Sequence, residues 1–393
     1  MFSNKLYFTD NCSHVFSKRD FFESQLFNLF WEKLFPTEQA FEIINTYKSK
    51  NFAFSQVGLM LYTNGYNLRG ISNRHPNGLI YFDGENVFGI GIFKKESRDD
   101  SFPHLMIIAP QGPYFLEAVM KFISKVRQCK IFSNEIYIRH LSSDQKKLFI
   151  ESGLQDIEFS PWHPDAPEED EHFPNRQFYL NDIFDLENNN EIKNLPYFDA
   201  KKFKTKPRLI HNRFSNYLQR NNLKFTLDPY EYSSEHIEQA KLIVTKYFQA
   251  RTKRGGVLGS TPEDYFPIIF QRPSGINGKD YFAYIGGLKK ETSNGLDFDT
   301  PIMFFVGERL GPKNQAGLYA TLSSRFEEDA VALGLPMEGY TALPQFCILE
   351  VMKKMFESGI EIVDIGGSET EGLDIQKKQL GGRPHKTSWV VSI

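Results

Sequence analysis

The chain has 393 residues, of which 40% are hydrophobic and 24% charged, and a formal net charge of −3. This composition excludes a wholly disordered chain, a fibrous repeat and a small disulfide scaffold, and the length predicts two or three domains. No apolar run approaches the ~20 residues of a membrane helix, and we expect no secretory signal at the start. The 3 cysteines are far apart in sequence, which predicts reduced thiols and a cytoplasmic protein.

The first half of the chain predicts alternating helices and strands. Two apolar runs flank Asp83-Gly84, which is a hairpin signal. Ser142 and Gln145 form the pattern of a capping box, and Gly153 ends the helix that follows. The predicted elements are a helix over 20–34, a hairpin over 79–93, a strand over 104–109, a helix from 115, a strand over 134–140, a helix over 143–152 and a strand over 157–159.

The second half repeats this order of elements. Its helices carry apolar residues at helical spacing, with Phe214, Phe248 and Phe346 on the inward faces, so we expect many of the 37 phenylalanines to lie in the core. The repeated order predicts two α+β lobes, each a mixed sheet flanked by helices. The predicted elements are helices over 207–221, 234–250, 343–358 and 373–380, and strands over 224–227, 281–289, 301–308, 316–323, 361–365 and 388–393.

A linker separates the two halves. Residues 160–171 are rich in proline and acid, and 181–196 contain the run Asn188-Asn189-Asn190, so both stretches predict loop. We therefore expect an N-terminal lobe with a helical extension over 1–190, and a C-terminal lobe over 191–393 that carries the active site.

One segment after this boundary is strongly basic. Residues 201–224 hold eight basic side chains and no acidic one, so the net charge of −3 combines +8 here with −11 elsewhere. Such a surface suits a polyanion, either tRNA or the tail of CoA, and the alternative is a solubilising linker with an amphipathic helix. The candidate polyanion-binding residues are Lys201, Lys202, Lys204, Lys206, Arg208, Arg213 and Arg220.

Two stretches resemble the GNAT acyltransferases. Residues 106–159 resemble the back half of a GNAT lobe, with Ala109-Pro110-Gln111-Gly112-Pro113 where that family has its acyl-donor loop, here shortened. The second lobe resembles the tandem-GNAT aminoacyl-transferring group, which includes the FemABX transferases and the catalytic domain of lysyl-phosphatidylglycerol synthetase. The residues that carry this resemblance are RFSNYLQRNNL at 213–223, VDIGGS at 363–368 and GLDIQKKQLGGR at 372–383.

The resemblance implies two GNAT-like lobes and transfer of an acyl or aminoacyl group to an amine. It implies aminoacyl-tRNA or acyl-CoA as the donor substrate, with no tightly bound cofactor, and leaves the acceptor open among small molecules, peptides and lipids. Such a transfer requires few side chains, because backbone N–H groups can stabilise the oxyanion while a base takes the amine proton.

Candidate site residues follow from their places in these elements. The catalytic candidates are Glu308, Tyr319, Asp364 and Glu369, and the donor-binding candidates are Arg325, Gly366, Gly367, Ser368, Lys377 and Arg383. Each has an ordinary structural alternative: a strand-end turn for the glycines, a solvated helix face for the basic residues, and a cap or surface role for the carboxylates.

A non-catalytic binding module for protein or nucleic acid is the alternative function. No metal site is expected, because His163, Asp165 and His172 lie in a loop rich in proline and acid. The sequence contains no Walker loop, no dinucleotide-binding fingerprint and no HExxH motif.

Overall fold

The computed structural model of the protein describes residues 25–26, 28–30, 32–36, 40–63, 79–93, 104–157, 175–195, 206–253, 262–273, 276, 278–323, 330–331, 333–368, 371–385 and 388–392. Within these ranges the chain forms two seven-stranded sheets and a two-stranded sheet. The predicted helix over 20–34 falls partly outside them, and Leu34 itself begins a strand.

The first sheet is built mainly from the N-terminal half. Its order is β1-β2-β3-β4-β5-β16-β6, and among the described residues β4 and β5 are the one parallel pair. The hairpin predicted around Asp83-Gly84 is confirmed, with Gly84 at φ 104°. The strands are β1 Leu34–Pro36, β2 Leu79–Phe82, β3 Val87–Phe93, β4 His104–Gln111, β5 Ile136–Leu141, β6 Gln155–Ile157 and β16 Ser388–Ser392.

Helices accompany this sheet, and residues 25–26 and 28–30 of the described ranges are helical as well. The helices numbered here are α1 Phe41–Thr46, α2 Gln56–Thr63, α3 Phe115–Cys129 and α4 Ser143–Glu151. The predicted capping box is confirmed, because Ser142 Oγ accepts from Gln145 N–H while the Gln145 side chain accepts from Ser142 N–H.

The second sheet has the order β10-β11-β12-β13-β14-β7-β15. Here too one internal pair, β13 with β14, is parallel. The strands are β7 Asn175–Tyr179, β10 Leu223–Pro229, β11 Tyr281–Thr292, β12 Gly295–Arg309, β13 Gln315–Ser323, β14 Ile362–Asp364 and β15 Arg383–His385. A separate hairpin pairs β8 Phe184–Asp185 with β9 Glu191–Ile192.

The helices of the second half cover both faces of this sheet. They are α5 Leu180–Ile183, α6 Pro207–Arg220, α7 Ser234–Lys253, α8 Phe266–Phe270, α9 Leu343–Glu357 and α10 Glu371–Gln379, with 3-10 turns at Pro262–Tyr265 and Tyr340–Ala342. Proline near the start of α6 and α9 suits the first helical turn, where its missing N–H would be unpaired anyway. None of the helices in the described ranges is long and apolar enough to cross a bilayer.

Each sheet contains one strand from the other half of the chain. The C-terminal strand β16 lies between β5 and β6 of the first sheet. In return β7, which precedes the predicted boundary, lies between β14 and β15 of the second. The boundary near residue 190 stays a prediction, and the two lobes exchange one strand each across it.

Phenylalanine fills the core, as its abundance predicted. Phe214, Phe248 and Phe346 are buried, and Phe115 packs at the edge of the first core. Each buried phenylalanine contributes about 1.5–3 kcal/mol by burial. A third cluster crosses between the lobes, since Val57 of α2 packs with residues of α7, β12 and β13.

Candidate functional site

The parallel strands β13 and β14 separate soon after they meet. They pair at three positions, from Gln315 opposite Ile362 to Gly317 opposite Asp364. Strand β13 then continues to Ser323, whereas the chain after β14 turns at Gly366, where φ is 68°. This leaves a gap, here called the strand opening, between residues 318–323 and 365–368. In the described ranges, residues 318–323 of β13 pair with β12 on one edge, and no strand pairs with them on the edge that faces the opening.

A β-bulge directs Tyr319 at the edge of the opening. Gly307 pairs with Leu318 and Val306 pairs with Ala320, so Tyr319 is the extra residue of β13. Gly317 provides space for the Tyr319 ring, because a Cβ on Gly317 would lie 2.6 Å from Tyr319 Cζ. The bulge therefore orients a half-buried tyrosine that regular pairing would have placed differently.

A segment of the first lobe, residues 48–57, packs into this place and is called here the inserted segment. Tyr319 Oη donates to the Phe52 carbonyl at 2.7 Å and accepts from Ser55 Oγ at 2.6 Å. The rings of Phe52 and Tyr319 stack with their centroids 4.5 Å apart. The predicted site residue Tyr319 thus joins the two lobes.

Glu308 anchors the same segment from the neighbouring strand. Its side chain is fully buried, with Oε2 accepting from Val57 N–H at 2.8 Å and Oε1 lying 2.8 Å from Lys48 Nζ. The Ser49 carbonyl also accepts from Gly311 N–H at 2.9 Å. Glu308 and Tyr319 do lie together, as predicted, and both hold the inserted segment in position.

Asp364 fixes the turn on the other side of the opening. Its Oδ1 accepts from Gly366 N–H at 2.8 Å, and its Oδ2 accepts from Gln177 Nε2 at 3.2 Å. Burial raises the pKa of this carboxyl, although the two hydrogen bonds and the nearby His385 and Lys377 oppose the rise. Catalytic groups commonly have a pKa that their surroundings have shifted in this way.

Lys377 supports the turn from beneath. Its buried ammonium donates to the carbonyls of Ile365 at 3.0 Å and Gly366 at 3.1 Å, and also to that of Gly367. These three hydrogen bonds account for the donors of an ammonium group. The geometry gives Lys377 a positioning role, and its binding of a donor phosphate stays a prediction.

Several buried polar groups near the opening have no hydrogen-bond partner in the described ranges. They are Ser368 Oγ, at the end of the turn, and the side-chain amides of Gln56 and Asn175. Gln56 follows Ser55 in sequence, and Asn175 precedes Arg176, whose N–H donates to the Gly366 carbonyl at 3.1 Å. Leaving such groups unpaired costs stability, so each calls for an explanation.

The remaining predicted residues lie elsewhere. Arg383 is at the start of β15, where it bonds Asp182 at 2.6 Å and lies over the Tyr179 ring at 4.8 Å. Lys206, Arg208, Arg213 and Arg220 are exposed at or along α6. Glu369, Arg325, Lys201, Lys202 and Lys204 lie outside the described residues.

The first lobe has a corresponding opening that side chains bridge. Strands β4 and β5 pair as far as Ile108 opposite Arg139, and Ala109 then adopts a φ of 48°. Gln145 Nε2 donates to the Pro110 carbonyl at 2.8 Å, within the predicted donor loop. Asn51 of the inserted segment donates from Nδ2 to the His140 carbonyl at 2.7 Å. The inserted segment therefore contacts the openings of both lobes.

Three important residues were not predicted. Phe52, Gln56 and Asn175 belong to no motif, and the residues they approach are far away in sequence. Only the fold brings them to the second lobe. No cluster of three or more metal-ligating side chains occurs in the described part of the chain.

Solved structures with the same architecture are known, although no protein-family model and no curated protein matches the sequence. A conserved protein of unknown function from Bacteroides thetaiotaomicron is 10% identical, with a TM-score of 0.55 over 91% of this chain and 97% of that one. L-PGS from Bacillus licheniformis is 12% identical, with a TM-score of 0.50 over 90% of both chains.

A third similar structure is the C-terminal domain of a putative lysylphosphatidylglycerol synthetase from Agrobacterium fabrum. It is 11% identical, with a TM-score of 0.51 over 91% of both chains. At such identities the likeness concerns the fold, and it agrees with two mixed sheets that each contain one internal parallel pair. The chain therefore has the α+β, tandem GNAT-like fold that its sequence predicted.

Proposed function

We propose that the protein is an acyltransferase that moves an acyl or aminoacyl group from a bound donor to an amine. The observation that carries this proposal is the strand opening of the second lobe, with the unpaired Ser368 Oγ at its edge. The tandem GNAT-like fold supports the same reaction class by analogy.

The reaction requires one new bond. The amine nitrogen attacks the donor carbonyl carbon, a C–N bond forms, and the C–O bond of an ester or the C–S bond of a thioester breaks. The amine loses a proton and the leaving oxygen or sulfur gains one. In this proposal Ser368 Oγ–H and backbone N–H groups of the opening stabilise the oxyanion.

Two carboxylates are proposed to accept the proton that the amine loses. Asp364 lies at the edge of the opening, and burial raises the pKa of its carboxyl, a direction that makes the carboxylate a stronger base. Glu369 follows Ser368 directly in sequence. Glu308 and Tyr319 are instead proposed as positioning residues, because the inserted segment occupies their polar atoms.

The donor is proposed to be aminoacyl-tRNA, with acyl-CoA as the alternative. Lys206, Arg213 and Arg220 recur every seven residues, so they share one side of α6 at intervals of about 10.5 Å. Helix α6 contains no acidic residue, which suits a phosphate backbone. Reversing Arg213 and Arg220 to glutamate should weaken tRNA binding and flatten its salt dependence; unchanged affinity at low salt would remove this helix from the proposal.

Substitution of Ser368 tests the reaction. With radiolabelled aminoacyl-tRNA or acyl-CoA and a panel of amines, Ser368→Ala should lower kcat on the order of 10²-fold. Ser358→Ala is the matched control, because Ser358 is an exposed serine whose Oγ bonds the Lys354 carbonyl. Equal rates for both variants would contradict the role of Ser368.

A binding module remains the second candidate. It is favoured by the engagement of Glu308 and Lys377, because the Glu308 carboxylate holds the inserted segment and the Lys377 ammonium holds the turn. If neither donor loses its label and added tRNA raises the melting temperature of the protein, this alternative is established. The free thiols Cys129 and Cys347 fit the proposed cytoplasmic location.

A further inference from the structure

Strand β10 forms one edge of the second sheet. As far as the structure describes them, the strands at the other sheet edges, β1, β6 and β15, have 3 residues each, whereas β10 has 7. Its register with β11 is regular from Leu223 to Pro229. Proteins protect sheet edges from foreign strands by keeping them short or bulged, so β10 is the least protected of these edges.

The outer edge of β10 presents a regular row of backbone groups. Tyr230 N–H, just after the strand, donates to the Ala283 carbonyl of β11 at 2.9 Å. The Thr226 carbonyl also points towards β11, because it lies 3.0 Å from a Cβ built on Gly286. Alternate residues of an antiparallel strand bond the same neighbour, so the N–H and C=O groups of the odd-numbered residues in 223–229 point outward. In the described ranges no strand pairs with them.

The sequence of β10 is complementary to itself when it is reversed about Thr226. If two copies pair antiparallel about this residue, Lys224 of each copy lies opposite Asp228 of the other, and Phe225 lies opposite Leu227. Lys224 and Asp228 are exposed on one face of the strand, while Phe225 and Leu227 pack against the second core on the other. Opposite charges and apolar side chains at directly opposite positions stabilise an antiparallel pair.

The backbone groups favour the same register. Phe225 and Leu227 would exchange both of their backbone hydrogen bonds across the interface, and Leu223 N–H would donate to the Pro229 carbonyl. Pro229 has no N–H to donate, but it lies at the end of the strand. Lys224 and Asp228 then form a pair without hydrogen bonds between their backbones, and such pairs bring their side chains closest together. The charges, the apolar residues and the backbone therefore agree on one alignment.

The charges around β10 affect the conditions of this pairing. Lys289, which lies opposite Lys224 on β11, is paired with Asp299 at 3.0 Å. Helix α6 packs on the face that carries Phe225, so a two-fold axis through the paired strands places both copies of this basic helix on one side. At physiological ionic strength charges more than about 8 Å apart are largely screened. Directly opposite Cβ atoms are only about 5 Å apart, so the pair of Lys224 with Asp228 retains its attraction.

We infer that β10 is a self-recognition surface, through which two copies of the chain pair antiparallel about Thr226 and join their second sheets into one. Such a contact uses the same patch on both copies, so it closes as a dimer and leaves no β10 edge exposed. Strands β11 and β12 separate β10 from the strand opening. The inference is therefore independent of the proposed function.

Sedimentation velocity of the full chain at about 0.15 M salt tests the inference. The parent chain should form a dimer whose fraction rises with protein concentration up to about 100 µM. Lys224→Asp places two aspartates opposite each other at both ends of the pairing, and Asp228→Lys does the same with two lysines. Each variant alone should weaken the dimer at least about tenfold, since attraction becomes repulsion at two places.

An equimolar mixture of the two variants should dimerise again, because every aspartate then lies opposite a lysine of the other variant. Lys121→Asp is the matched control, since it makes the same change at an exposed position of α3 and should dimerise like the parent. A parent chain that stays monomeric at about 100 µM overturns the inference. A dimer that neither single variant weakens, or a mixture that does not recover, overturns it as well. All of these results leave the acyltransferase proposal standing, because no substituted residue lies at the strand opening.

Discussion

The ion pair between Lys48 and Glu308 provides the sharpest test of how the two lobes are joined. The charged atoms are 2.8 Å apart, and Glu308 is fully buried. At an effective dielectric constant of about 20, two unit charges at this distance attract by about 6 kcal/mol, and desolvation offsets part of this. Replacing Lys48 by methionine leaves a buried carboxylate without its cation, so we expect a loss of about 3–5 kcal/mol in the free energy of unfolding.

Urea denaturation followed by intrinsic fluorescence measures this loss. The double variant Lys48→Met with Glu308→Gln should recover at least about 2 kcal/mol, because a neutral amide still accepts from Val57 N–H and no charge is stranded. Lys147→Met is the control, since its pair with Glu151 is exposed and should contribute at most about 1 kcal/mol. A loss below about 1 kcal/mol in Lys48→Met would refute the reasoning.

Three further predictions concern the turn at Gly366, the loss of stability at acid pH through Asp374, and the exchanged strand β16. Gly366→Ala should cost about 1–2 kcal/mol by urea denaturation, because φ there is 68° and the new Cβ meets Phe52; a change within error would show that the turn adapts. Burial opposes ionisation of Asp374, but hydrogen bonds from Arg176 and Lys378 outweigh it and lower its pKa. Asp374→Asn should therefore be destabilised by about 3–5 kcal/mol at pH 7, with the difference from the parent shrinking as pH falls below about 4; a constant difference in pH-dependent melting would contradict this. A chain ending at His385 lacks β16, so limited proteolysis should degrade the first lobe first, and an N-terminal half as resistant as in the full chain would count against the exchange.

Helices and strands were predicted well where the signal is local. Helix α6 was expected over 207–221 and spans Pro207–Arg220, and α9 was expected over 343–358 and spans Leu343–Glu357. In both, the apolar face repeats with the helical period and a proline marks the start, so neighbouring residues contain the information. Strand ends were less accurate: β12 was expected over 301–308 and begins at Gly295, because its pairing with β11 extends past the apolar run.

The partners of β7 and β16 could not be read from the sequence. The strand β16 was expected, but its place between β5 and β6 depends on which edges remain open after both lobes fold. No periodic pattern predicts β7, which has five residues between two loop-like stretches. Register and partner choice depend on tertiary contacts, so they lie beyond single-sequence reasoning.

The candidate site was predicted only on the side that the second lobe supplies. Glu308, Tyr319, Asp364 and the glycine turn were expected because they lie on adjacent strands or at strand ends. Phe52 was not, because Tyr319 bonds its carbonyl across 267 positions of sequence. A contact of that kind leaves no spacing pattern, and a buried phenylalanine among 37 has no distinguishing chemistry.

The position of β16 between β5 and β6 also determines when the first sheet can be completed during synthesis. Roughly 230 residues separate β6 from the strand that must insert beside it. At about 5–20 residues per second, the ribosome takes roughly 10–50 s to produce that stretch. During this interval β5 and β6 of the nascent chain have unpaired edges, which are templates for wrong pairing. The first lobe to be translated is thus the last to be closed, and a chaperone that shields β-edges would act on its N-terminal half.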